Sequence, residues 1–136
     1  MNALKEGDCE KASTFLTEQL LDTISFYDYS EQYYHGFLAG LLKTADQCRV
    51  YSNRESGTGR PDLILKTSTL RRDGAMEVLE LKVAKRYDQM NELCLQALSQ
   101  IKEQNYEAAL KEEGYSDIKK YGICFFKKEC LIVKAE

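Results

Sequence analysis

Gly59-Arg60-Pro61-Asp62-Leu63-Ile64-Leu65, followed after a polar segment by Glu77-Val78-Leu79-Glu80-Leu81-Lys82-Val83, is the stretch whose reading decides the fold. Each run is short, apolar and bounded by polar or Gly-bearing residues, which predicts two buried strands. Both nevertheless carry charge where a buried strand should have none, and charge in such a place needs partners. Side chains alternate faces along a strand, so Val78, Glu80 and Lys82 share one face while Leu79, Leu81 and Val83 share the other. Glu77 points away from Glu80. The connecting residues Lys66 to Met76 contain Asp73-Gly74, a turn-forming dipeptide, so the runs pair most simply as an antiparallel hairpin. Asp62 then begins its strand close to Glu80 and Lys82. Two carboxylates and an ammonium at one sheet edge avoid the cost of burial either by pairing with one another or by binding a divalent cation. The second option describes metal-assisted phosphodiester hydrolysis.

Pro61 is the only proline in the chain. It cannot donate to a ladder and so belongs at a strand start, with Arg60 extended before it. Arg54, Glu55 and Arg60 either touch substrate phosphates or pair with one another on a solvated loop. The glycines around them match neither a P-loop nor a dinucleotide fingerprint.

Pro61-Asp62 with Glu80-Leu81-Lys82 resembles the signature of the PD-(D/E)XK nuclease superfamily. Tyr33-Tyr34-His35-Gly36-Phe37-Leu38, Ser52-Asn53-Arg54-Glu55-Ser56-Gly57, Gly59-Arg60-Pro61-Asp62 and Tyr121-Gly122-Ile123 extend the likeness to a bacterial branch found behind AAA-type ATPase-like domains. The resemblance implies a restriction-endonuclease-like α/β core, a mixed sheet of about four to five strands flanked by helices. It implies Mg2+ or Mn2+ held by Asp62, Glu80 and the backbone carbonyl of Leu81, with Lys82 orienting the attacking water or stabilising the transition state. It implies nucleic acid, DNA first, as substrate, and an ATPase-like domain in a larger chain as partner; a homodimer is compatible with it. Glu31, on an early helix, corresponds to an acidic residue that often joins such sites, and Gln100 to a glutamine placed beside them. The alternative is a catalytically silent domain of the same fold that binds nucleic acid or protein. A small-molecule enzyme finds no nucleophile, cofactor motif or triad here.

A chain of 136 residues, 43% hydrophobic and 30% charged, is read as a single domain, 1–136, with a helical part over 8–45 and a core over 49–134. The formal net charge of −3 argues against gripping nucleic acid by bulk electrostatics. Bound cations would offset that locally, and Lys85 and Arg86 add basic groups. No apolar run approaches the ~20 residues needed to span a bilayer, and the N-terminal residues lack a signal-peptide core, which places the chain in the cytoplasm. Cys9, Cys48, Cys94, Cys124 and Cys130 are odd in number and without a Cys-x-x-Cys pair, and read as small buried thiols.

Apolar residues at three- and four-residue spacing predict a helix from Asp8 to about Ser25, with Asp8 or Ser13 as its cap. A second runs to about Thr44. In Asp28-Tyr29-Ser30-Glu31 a capping box is the competing role for Glu31. His35, one turn on, is either a partly buried histidine held by backbone or carboxylate, or a group beside metal or substrate. Gly36 and Gly40 either admit a close neighbour or are tolerated weak points. Arg49 to Asn53 predicts a strand. Asp88 is the expected cap of a long helix running toward Leu110, and Lys119 to Phe126 and Cys130 to Val133 predict a closing hairpin.

Overall fold

The computed structural model describes residues 6–22, 31–43, 48–52, 63–67, 75–103 and 117–135. Two helices, α1 (Cys9–Asp22) and α2 (Glu31–Leu42), precede three strands, β1 (Cys48–Ser52), β2 (Leu63–Thr67) and β3 (Ala75–Val83). A 3-10 turn (Tyr87–Gln89), helix α3 (Met90–Glu103) and strands β4 (Asp117–Phe126) and β5 (Glu129–Lys134) follow. The strands form one sheet in the order β1-β2-β3-β4-β5. Only β3 and β4 run parallel; the other three pairs are antiparallel. That single parallel pair needs a crossover, and α3 lies within it. The expected hairpin of the two charged runs is present, with Leu63 opposite Leu79, and the α/β class with a mixed sheet holds at five strands. The Asp73-Gly74 turn, the Asp28–Ser30 part of the capping box and the run from Gln104 through Leu110 lie outside the described residues.

Alternation in β3 sorts the core into two layers. Leu79 and Leu81 pack with Tyr121, Ile123 and Phe125 of β4 and Ile132 of β5 under Ala12, Leu16 and Leu20 of α1 and Leu38 and Leu42 of α2. On the other side Met90 and Cys94 of α3 cover Cys124, with Phe126, Leu131 and Val133 packed at the margin. Tyr34 ties the first layer to the end of the sheet. Its ring stacks on Phe125 at 4.5 Å between centroids, and its buried hydroxyl donates to the carbonyl of Lys127 at 2.7 Å, the partner such a hydroxyl needs. Lys127 has φ 52°, so this hydrogen bond holds a turn residue in a conformation that its side chain disfavours.

α1 begins where the sequence puts it. Asp8 caps it, its Oδ1 accepting from the backbone N–H of Lys11 at 3.0 Å, as an N-cap aspartate does. Ser13 is not a cap. Its Oγ accepts the N–H of Ile132 at 3.0 Å, and Oγ1 of Thr17 accepts that of Cys130 at 3.3 Å. β5 is the last strand of the sheet, and alternate N–H groups on such a strand face outward with no ladder to join. Four residues of helix rise ~6 Å and two of strand ~6.7 Å, so hydroxyls at i and i+4 of α1 meet successive outward amides of β5. Asp88 is likewise not the cap of α3: it lies inside the 3-10 turn, 3.3 Å from Arg86 Nε, and α3 starts at Met90.

Of the expected glycine contacts, Gly40 has nothing within 4 Å of the place a Cβ would take, so it admits no neighbour. The close approach is at Gly122 instead. A Cβ there would overlap the carbonyl oxygen of Cys94 and stand 3.2 Å from Cβ of Ala97. α3 therefore rests directly on the backbone of β4.

Cys94, Cys124 and Cys130 are buried free thiols, whereas Cys9 is only half-buried. Burial raises the thiol of Cys94 from the ordinary 9.0 to about 12 and that of Cys124 to about 11. The folded chain thus holds these protons more tightly than the unfolded one. The stabilising effect is complete below pH 9.0 and is lost as pH rises toward 12. The urea midpoint is expected to fall across that window, and to fall less in Cys94→Ala; an identical alkaline slope in the variant would contradict the assignment. Ser13→Ala leaves the N–H of Ile132 without its acceptor and should cost about 1–3 kcal/mol, read as a lower urea midpoint at neutral pH.

Candidate active site

The candidate site lies on β3, whose pleat separates Glu80 and Lys82 from Leu79 and Leu81. Leu79 and Leu81 enter the α1–α2 layer, so Glu80 and Lys82 project to the α3 side. There Nζ of Lys82 donates to Oε1 of Gln100 at 2.6 Å. Glu80 lies between Val78 and Lys82 on the same face and is only 3% exposed. Glu77, 1% exposed, points to the opposite face, as its place in the alternation requires. A half-buried lysine beside a buried carboxylate, held by an amide oxygen, is a polar group assembled inside a sheet–helix interface where apolar packing would cost less.

Gly122 explains how the helix reaches this point. In the parallel register Gly122 is the β4 neighbour of Glu80, and it is the residue on which the Cys94 carbonyl rests. Gln100 lies six residues further along α3, within reach of a lysine side chain from β3. Lysine has donors only, so the amide of Gln100 must turn its oxygen to Nζ, leaving its nitrogen to donate elsewhere.

Backbone direction adds a second element. The N–H of Ala84 donates to the carbonyl of Phe125 on β4 at 2.8 Å. Backbone groups alternate sides along a strand, so those of Lys82 and Glu80 also face β4 and those of Leu81 and Leu79 face β2. The described pairing of β2 with β3 ends at Leu63 and Leu79, one residue before Glu80. The carbonyl of Leu81 is thus directed to the β2 side, beyond the last described pair. Asp62, Arg54 and Arg60 lie outside the described residues. Among those described, no three His, Cys, Asp or Glu side chains are grouped closely enough to hold a metal ion; the motif would add Asp62 to Glu80 and the carbonyl of Leu81. The donor set that would result, two carboxylates and a carbonyl, is hard oxygen of the kind Mg2+ and Mn2+ take.

Of the other expected site residues, Glu31 is the first residue of α2, and His35 is buried on that helix at 6% exposure. α2 belongs to the layer over Leu79 and Leu81, and Gln100 to the opposite one. The structure brings Glu80, Lys82 and Gln100 together; it places Glu31 and His35 on another layer. The residue that sequence reasoning undervalued is Gly122. Its signal was a glycine inside an apolar strand pattern, which often marks close backbone approach.

A family model described as the PD-(D/E)XK nuclease superfamily matches residues 29–135. No curated protein and no solved structure matches the chain. With most of its length matched, the chain belongs to the PD-(D/E)XK nuclease superfamily, and Glu80-Leu81-Lys82 falls in the matched range. Among the described residues no helix is long and apolar enough to cross a membrane.

Gly122→Ala would force α3 off β4. It should cost about 1–3 kcal/mol by overpacking and withdraw Gln100 from Lys82. The check is a urea midpoint set beside that of Gly40→Ala, where open space predicts no loss and helix propensity a small gain.

Proposed function

We propose, from membership of this superfamily, that the chain is a metal-dependent phosphodiesterase module acting on DNA and working beside an ATPase-like domain. The observation that carries the reading is the 2.6 Å hydrogen bond from Lys82 to Gln100 next to the buried carboxylate of Glu80. A structural ion pair needs no glutamine to hold its lysine. Leu63, opposite Leu79, directly follows Asp62 in sequence, which supports counting Asp62 with Glu80 in this reading.

In this reading Asp62, Glu80 and the carbonyl of Leu81 would hold Mg2+ or Mn2+. When bound, the ion would supply neutralisation of phosphate charge and a water acidic enough to attack near neutral pH. The chain's own residues do the rest. Lys82 donates to oxygen as negative charge develops on the phosphate. Gln100 limits the rotamers of Lys82 and offers its amide nitrogen to a second phosphate oxygen. α3, seated on Gly122, closes that side of the site to bulk water. Arg54 and Arg60 would contact substrate phosphates; His35, buried on the opposite layer, would not touch substrate, and Glu31 on the same helix would act only from outside the ion's ligands.

The test incubates the purified chain with plasmid and single-stranded DNA in Mg2+ or Mn2+, beside Asp62→Ala and Lys82→Ala. Cleavage is expected, with a loss of about 100-fold or more in either variant. Cleavage surviving in both would mark a contaminant. Inactivity on every substrate with retained DNA affinity would favour the silent, binding-only domain. Metal-ion stabilisation of about 2.7 kcal/mol at roughly 100 times Kd, absent in Asp62→Ala, would support the ion site independently of substrate.

A further inference from the structure

After Val83 the chain leaves the site and within four residues enters the turn Tyr87–Gln89. Lys85, Arg86 and Tyr87 are all exposed there. Tyr87, at 65%, is exposed to a degree unusual for so large a ring. It is also held. Its ring meets that of Phe126 edge to face, with centroids 6.4 Å apart and planes at 73°, an arrangement that steadies a ring while leaving its face open. Phe126 in turn has Nζ of Lys127 5.3 Å from its centroid. Two chain reversals therefore bring cations to one aromatic pair: Lys85 and Arg86 after β3, and Lys127 between β4 and β5. Arg86 is paired with Asp88 at 3.3 Å, but these side chains are 69% and 75% exposed, and so open a pair adds little and yields readily to phosphate. Beside Tyr87 opens a cavity of about 440 Å3 with Met90, Asn91 and Leu131 in its wall and the carboxylates Asp88 and Glu129 at the same lining.

We propose that Tyr87 and Phe126, with Lys85, Arg86 and Lys127, form a binding surface for an unpaired polynucleotide strand. A base stacks on the open face of Tyr87 while the cations hold the flanking phosphates. The bases of an intact duplex already stack on one another and offer no such face, so the surface selects single strands and frayed ends. A chain of net charge −3 cannot attract phosphate as a whole, which leaves a local cluster of this kind to do so. Delivery of the bound strand to Glu80 and Lys82 rests on the nuclease reading; the binding does not.

The chain has no tryptophan, so Tyr87→Trp introduces a sole reporter. In EDTA, where no metal-dependent cleavage intervenes, oligodeoxythymidylate should quench its fluorescence. Oligouridylate should do so too, because stacking ignores the sugar, and the oligodeoxythymidylate–oligodeoxyadenylate duplex should not. By fluorescence anisotropy Tyr87→Ala should weaken single-strand binding about 5- to 100-fold, and Tyr87→Phe should retain it. An unquenched tryptophan with oligonucleotide bound, equal affinity in Tyr87→Ala, or no binding by the native chain would each overturn the proposal. Quenching without cleavage in Mg2+ would instead overturn the nuclease reading and leave this one standing.

Discussion

The carbonyl of Cys94 lies against the bare Cα of Gly122, and much of the molecule follows from that contact. It lets α3 sit close enough to the sheet for Gln100 to reach Lys82. It sets the helix over β4 at the register position beside Glu80, and it closes the second apolar layer around Cys124. A side chain at 122 would lift α3 and loosen all three at once. The polar group on β3 is tolerated because the helix arrives with an amide at the place where an ammonium needs an acceptor.

The hairpin of the two charged runs, the division of β3 into a leucine face and a Glu80–Lys82 face, and the closing β4–β5 hairpin were legible in the sequence. All of them rest on local alternation, which a strand cannot hide. The pairing of Lys82 with Gln100 was reachable only through family likeness, since nothing in an exposed-looking helical glutamine announces which lysine it will meet. The choice between Asp8 and Ser13 as cap was left open, and the role of Asp88 was misread, for the same reason. Both residue types cap helices, and only the packed chain reveals that Ser13 lies over β5 and that a 3-10 turn precedes α3. Asp62, on which the metal reading depends, was legible as a motif position and lies outside the described residues.

The superfamily match starts at residue 29, yet α1 is an integral part of the fold. Ala12 and Leu16 have no exposure at all and Leu20 has 2%. The helix also stands in for a sixth strand, accepting through Ser13 and Thr17 the hydrogen bonds that β5 would otherwise offer to another chain. The folded unit therefore includes α1 as well as the residues that the family model matches.

That arrangement also orders events in time. Lys82 and Gln100 are 18 residues apart in sequence, and the segment joining them is a short loop to close, so β3 and α3 can find each other early. Ser13 and Ile132 are 119 apart, a far more costly closure that gains little until the sheet already exists. Folding should thus finish at the rim: the centre forms first, and α1 docks on β5 last.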